Sequence, residues 1–296
     1  MTIKTVGLIG VGLMGHGIGK NILEKGFALN VMAHKNREPV DDLVKRGAQE
    51  LKTPTDIAKN SDLVILCVTG TPQVEESVYG TNGIASAARN GLIIADCSTA
   101  VPDSTQKISA DLAQHGVHFI DTPMTRTPKE AEAGKLGLMV GGPMEVIDTI
   151  RPVLNCFADL VVHTGAVGPA PQVTLIENFL SMGHAAMAAE AITVAAKAGI
   201  DMTALRDVIM GGGAASVMFG RLINVPLHDD DTHAKFAIRN GRKDLRYYTN
   251  MTENLPVTSF LGETVHQTFV MADNMGYGDR YVPRLIDVLG KLNGVK

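Results

Sequence analysis

Through its first half the chain alternates short apolar runs rich in β-branched residues with longer stretches of helical period. The strand-like runs are Thr5–Ile9, residues 29–33, 63–68 and 92–96, and His118–Asp121, with residues 15–25 and 39–46 among the helices between them. Strands that are apolar on both faces and separated by helices form a parallel sheet covered on each side. After about Gly165 the texture turns helical, in residues 173–198 above all, then 203–210, 239–253 and shorter segments to the C-terminus. The pattern predicts two domains: a doubly wound, mainly parallel α/β domain over residues 1–164 and an all-α domain over residues 165–296.

In residues 173–198 apolar and small side chains occur nearly all round, with Ala185, Ala186, Ala188, Ala189, Ala191, Ala195 and Ala196 permitting close approach of other helices. Such a helix is expected to be buried, between domains or between subunits. The chain carries no internal repeat, low-complexity tract or flexible linker, so the join near residues 160–168 is expected to be compact.

Composition narrows the classes of function. A net charge of −4 and a pI near 6.1 leave no electrostatic footprint for nucleic acid. No run of about 18 apolar residues long enough to span a bilayer is expected. The N-terminus enters a strand-like run directly, without the basic and apolar regions of a secretory signal, which predicts a cytoplasmic protein. Cys67, Cys97 and Cys156 are odd in number and set in apolar contexts, so they read as small buried hydrophobes rather than disulfide partners or metal ligands.

Gly10-x-Gly12-x-x-Gly15 lies between the strand Thr5–Ile9 and a helix that begins near Leu13. In that context Gly10 makes the tight turn, Gly12 lets a pyrophosphate approach the backbone, and Gly15 lets the helix pack on the sheet. Leu13 and Met14 open the helix, whose N-terminus offers free N–H groups and partial positive charge to the phosphates. About twenty residues on, where an NAD site places an acidic residue, the chain reads His34-Lys35-Asn36-Arg37. Cations in that position suit a 2′-phosphate better than a pair of hydroxyls, so NADP is the expected cofactor ahead of NAD.

Several motifs now stand in order: Gly7-Leu-Ile-Gly-Val-Gly-Leu-Met-Gly15, Asp96-Cys-Ser98-Thr99, Asp121-Thr-Pro-Met-Thr125-Arg126-Thr127, Ala133-Gly-Lys-Leu136, Gly141-Gly142, Gly165-Ala-Val-Gly168 leading to Thr174, and Arg242-Lys243-Asp244-Leu245. Over nearly its whole length the chain resembles the β-hydroxyacid dehydrogenases, a family that includes 3-hydroxyisobutyrate dehydrogenases and sulfolactaldehyde reductases. The resemblance implies a Rossmann domain, an all-helical domain and a long helix joining them. It further implies that Val68, Thr69 and Thr99 line the cofactor groove, that Lys243 reaches toward cofactor or substrate, and that the chain forms homodimers or homotetramers through the helical domain. Where the family usually has Leu-Pro-Asn, this chain has Val68-Thr69-Gly70.

Two departures bear on chemistry. The family's commonest Ser-Gly-Gly turn is replaced by Thr125-Arg126-Thr127, which resembles the sulfolactaldehyde reductase branch. A guanidinium fork between two hydroxyls is a receptor for a carboxylate, sulfonate or phosphate, the competing reading being a surface ion pair with a neighbour such as Glu130. In the second departure, Thr174 stands where the family places the lysine that protonates the carbonyl oxygen, and Glu177-Asn178 replaces the usual Asn-Asn one turn later.

A threonine hydroxyl barely ionises near neutral pH and carries no charge to stabilise an alkoxide. Three outcomes follow. Lys243, Glu177 or a water supplies the proton to a small anionic hydroxyacid or semialdehyde, with Asn178 keeping a substrate hydrogen bond. In the second, the substrate is an iminium, already protonated, whose cation Glu177 stabilises, as in the imine reductases. In the third, the chain is a catalytically impaired nucleotide-binding relative. Elsewhere, His184 reads as a buried histidine satisfied by a carbonyl, residues 228–233 as a solvated loop rather than a metal site, and Gly211-Gly-Gly213 as a helix stop.

Overall fold

The computed structural model describes residues 2–295, which form two compact units divided in the chain between Thr174 and Leu175. In the first, β1 (Thr5–Ile9), α1 (Leu13–Glu24), β2 (Ala28–Val31), α2 (Glu38–Lys45), β3 (Gln49–Glu50), α3 (Pro54–Lys59), β4 (Leu63–Leu66), α4 (Thr71–Tyr79), β5 (Ile93–Asp96), α5 (Pro102–Ala113) and β6 (His118–Asp121) follow in turn. The strands pair in parallel in the order β3-β2-β1-β4-β5-β6, the order of a dinucleotide-binding Rossmann sheet. Past β6 come β7 (Met124–Thr125), α6 (Pro128–Glu132), β8 (Leu136–Gly141), α7 (Met144–Phe157) and β9 (Ala158–Gly165); β8 lies antiparallel to β6 and β7 and parallel to β9.

The two-residue period of the strands divides the core. Leu63 and Ile65 of β4 and Ile93 and Ala95 of β5 pack with Ile18 and Ile22 of α1, Leu43 of α2 and Ile150 of α7. Val64, Leu66 and Ile94 face the other way, onto Ile57 of α3, Val74 and Val78 of α4, and Ile108 and Leu112 of α5. Both faces of the sheet are therefore dry, which is why its strands read as continuous apolar runs.

Helix α8 (Pro169–Lys197) crosses the boundary between the units, and α9 (Met202–Met210), α10 (Val217–Leu222), α11 (Asn224–His228), α12 (Ile238–Asn254), α13 (Phe260–Ala272) and α14 (Leu285–Asn293) complete the second. That unit is helical, built around Ala185, Ala189, Ile192, Phe219, Leu222, Leu245, Phe269 and Leu285. The caps are those the sequence offers: Asp201 and Ser216 accept from Ala204 N and Phe219 N at the starts of α9 and α10, and Gly211 ends α9.

Two expectations about α8 are corrected. It is long and apolar enough, by length and composition, to cross a membrane, although half of the window that qualifies is buried inside the protein. Within the single chain Val173, Ile176, Leu180, Met187 and Val194 form an exposed stripe. Their spacings of three, four and seven residues place them on one side of the helix. His184 is likewise exposed rather than buried.

Candidate active site

The ends of β1, β4 and β5 lie side by side at the carboxyl edge of the sheet, where ligands of this architecture bind. At the first of them Gly10 has φ +101°, and a Cβ there would lie 2.2 Å from the Cys67 carbonyl oxygen. A Cβ on Gly15 would lie 2.0 Å from the Gly10 carbonyl oxygen, so the turn closes only without side chains at both positions. Gly12 is different. A Cβ there would meet nothing within 4 Å, and Gly12 caps α1 without any side-chain hydrogen bond. Open space at a helix N-terminus with no side-chain cap fits a pyrophosphate. Leu13 is exposed and Met14 packs against the core, while Val68, Thr69 and Thr99 follow β4 and β5, Val68 donating its N–H to Ser98 Oγ.

Residues 34–37 are exposed between β2 and α2. Asn36 Oδ1 accepts from the Glu38 N–H. Arg37 makes three hydrogen bonds to two carboxylates: Nη1 and Nη2 meet Glu50 Oε1 and Oε2 at 3.0 and 2.9 Å, and Nη2 meets Asp41 Oδ1 at 3.0 Å. The hydrogen bonds from Arg37 hold the Glu50 carboxyl below the usual range.

In the segment after β6, Arg126 takes the left-handed φ of +82° at a position where the family commonly has glycine. Its guanidinium donates to the Lys135 carbonyl and to Asp159 Oδ1, the latter at 2.5 Å. The ion pair is therefore made with Asp159, 33 residues away in the chain. Glu130 completes a capping box at the start of α6, accepting from the Thr127 N–H at 3.0 Å and from the Thr127 hydroxyl. Thr125 pairs with Gly137 of β8.

The helix that follows this segment is fastened to the cofactor helix. Asn21 of α1 donates to the Ala131 carbonyl and Lys20 to the Glu132 carbonyl, while His16 bridges Glu132 Oε1 at 2.6 Å and Asp42 Oδ2 at 2.9 Å. Burial alone would lower the His16 pKa. Its hydrogen bonds to Glu132 and Asp42 outweigh that effect and raise it above the ordinary value.

Pro169 and Pro171 lack N–H groups, and just before α8 the Gly168 N–H donates to the buried Asp121 Oδ2 at 3.0 Å, with the Ala170 N–H facing the same carboxylate. Burial raises the Asp121 pKa despite those bonds. Thr174 then sits in the second turn, 2% exposed, with its hydroxyl donating to the Ala170 carbonyl at 3.1 Å beside Met139 Sδ.

Further along α8, Glu177 and Asn178 are half-buried. Asn178 Nδ2 donates to Asp244 Oδ2 at 2.9 Å, and Lys243 Nζ lies 2.7 Å from Asp244 Oδ1 and 4.9 Å from the Tyr247 ring centre. Burial raises the Asp244 pKa, and the neighbouring lysine counteracts it. Asp244 thus ties together two residues picked out from the sequence, Asn178 and Lys243. Its carboxylate was visible there only as part of a motif. Among the described residues no cluster of three or more metal-ligating side chains occurs.

Comparisons with known proteins agree with this fold. Residues 5–165 match the NAD binding domain of 6-phosphogluconate dehydrogenase, and residues 168–289 match the NAD-binding domain of NADP-dependent 3-hydroxyisobutyrate dehydrogenase. An L-threonate dehydrogenase of Cupriavidus necator is 30% identical over 93% of this chain and 92% of its own. A 3-sulfolactaldehyde reductase of Escherichia coli is 28% identical over 93% of this chain and 92% of its own. The crystal structure of a 3-hydroxyisobutyrate dehydrogenase from Salmonella typhimurium superposes with a TM-score of 0.87 at 26% identity, covering 96% of this chain and 99% of that one. With a Rossmann sheet, an open dinucleotide turn and a helical second unit, the chain belongs to the 3-hydroxyisobutyrate dehydrogenase-like β-hydroxyacid dehydrogenases, NAD(P)-dependent oxidoreductases acting on CH–OH groups.

Proposed function

We propose that the protein transfers hydride between NADP and a small anionic hydroxyacid or semialdehyde, with Lys243 as the group that moves the proton. The observation that carries this reading is the Asn178–Asp244–Lys243 network. It holds an ammonium in place by a buried carboxylate 2.7 Å away, while the Thr174 hydroxyl is turned back onto its own helix. The bound nicotinamide supplies or accepts the hydride. Lys243 donates a proton to the carbonyl oxygen in reduction and recovers it in oxidation, and its charge stabilises the alkoxide between. Asn178, its amide nitrogen on Asp244, offers its amide oxygen to the substrate hydroxyl.

Arg126, with Thr125 and Thr127 beside it, is the receptor for the carboxylate or sulfonate. Its ion pair with Asp159 is only partly buried, at 34% and 48% side-chain exposure, so an incoming anion exchanges with Asp159 at small cost. Gly10, Gly12 and Gly15 with the start of α1 hold the pyrophosphate, Val68, Thr69 and Thr99 line the groove, and His34, Lys35 and Arg37 receive the 2′-phosphate. Assembly as a homodimer or homotetramer is supported by the exposed stripe of α8, which a second copy would cover.

A second reading is favoured by the Thr174 geometry itself: an iminium needs no oxygen-directed acid, and Glu177 would stabilise its charge. The test is NADPH oxidation against short anionic aldehydes, their neutral analogues and cyclic imines, using wild type, Arg126→Ala and Lys243→Met. Turnover of anionic aldehydes is expected, with Arg126→Ala raising KM for them far more than for neutral analogues, and Lys243→Met lowering kcat by about a hundred- to ten-thousand-fold. Turnover of imines alone would replace the first reading by the second. No turnover of any compound would overturn both.

A further inference from the structure

The Arg37 guanidinium presents both terminal nitrogens to both oxygens of Glu50, at 3.0 and 2.9 Å. This is the fork-to-fork arrangement in which an arginine also binds a phosphate, so Glu50 and a 2′-phosphate require the same donors. Glu50 is placed there by the sheet: it ends β3, the edge strand, in register with Val31 at the end of β2, just before the loop that carries Arg37. Both side chains are largely open to water, Arg37 at 54% and Glu50 at 35%, so the pair is screened and exchangeable. Asp41, one turn into α2, holds Nη2 from the other side.

We propose that Glu50 is a specificity-determining residue for the cofactor, competing with the 2′-phosphate for Arg37. Every NADP molecule bound must displace Glu50, whereas NAD binds with the pair intact. Glu50 therefore weakens NADP without affecting NAD, and narrows the discrimination that His34, Lys35 and Arg37 would otherwise give. This inference rests on the reading of that loop as the 2′-phosphate site, which the experiment tests separately.

Dissociation constants of NADP and NAD are measured by titration calorimetry on the full chain for wild type, Glu50→Gln, Arg37→Gln and the double variant. Glu50→Gln is expected to tighten NADP about two- to fivefold, the range for an exposed pair, and to leave NAD within experimental scatter. Arg37→Gln is expected to weaken NADP about tenfold or more, and in its background the Glu50 substitution is expected to have no effect on NADP. If Arg37→Gln leaves NADP unchanged, the loop does not bind the 2′-phosphate and the underlying reading fails. If Arg37→Gln weakens NADP while Glu50→Gln does not tighten it, the loop stands and the competition is overturned. Equal tightening in both backgrounds would also overturn it, because Glu50 would then act through bulk charge rather than through Arg37.

Discussion

Thr174→Val separates a buried packing role from a catalytic one. The residue is 2% exposed, and its hydroxyl donates to the Ala170 carbonyl at 3.1 Å. That carbonyl also accepts the backbone N–H four residues on, so valine, nearly the same shape, leaves no acceptor stranded. The lost hydrogen bond is worth about 0.5–1.5 kcal/mol, and the added buried methyl returns up to about 0.8 kcal/mol. With the methyl returning close to its full value, the net change in stability should lie within about 1 kcal/mol, a shift of no more than about 2–4 °C in Tm for a chain of this size. A proton-donating hydroxyl would behave differently, its loss lowering kcat by about a hundred- to ten-thousand-fold. The assay pairs thermal unfolding by circular dichroism with kcat on whichever substrate the panel identifies, and kcat is expected to remain within about threefold of wild type. A hundredfold fall in kcat with unchanged Tm would refute the reasoning and make Thr174 the group that handles the proton.

Gly12→Ala and Gly15→Ala should have different signatures. At Gly12, where φ is −102° and no atom stands within 4 Å of a Cβ, alanine should leave Tm unchanged but weaken dinucleotide binding about tenfold or more; at Gly15 the 2.0 Å approach to the Gly10 carbonyl should lower Tm as well. Equal melting temperatures for the two variants would count against that account of the turn. For His16, a folded-state pKa raised above the ordinary value near 6.5 means that its bridge to Glu132 and Asp42 stabilises fully below about pH 6.5 and is lost as pH rises through the folded value. Tm of wild type should therefore fall between pH 6 and pH 9 relative to His16→Gln, and parallel curves would show that the bridge contributes nothing.

The order of strands and helices in the first unit was legible because it depends on neighbours in the chain. Thr5–Ile9 and His118–Asp121 form strands over those very residues, and α12 spans Ile238–Asn254 against a reading of 239–253, since periodicity and β-branching are local properties. The glycine turn was legible for the same reason. Pro169 begins α8, in a first turn where a missing N–H costs nothing.

The doubly wound sheet, the helical second unit, the dinucleotide turn and the family were thus readable from the chain alone, whereas its reaction stayed open among three outcomes. Tertiary structure decided which partner each polar side chain takes. Arg126 meets Asp159 across 33 residues; His16 meets Glu132 across 116; Asp121 receives the start of α8 across 47; and Asp244 receives Asn178 across 66. Such pairs form only where the topology brings distant segments together, and nothing in local periodicity encodes that distance. The same limit applies to α8, whose apolar composition does not show which side its own chain covers and which side it leaves as an exposed stripe. Composition sets how much surface should leave water, but only the arrangement of neighbouring elements decides which side of a helix does so.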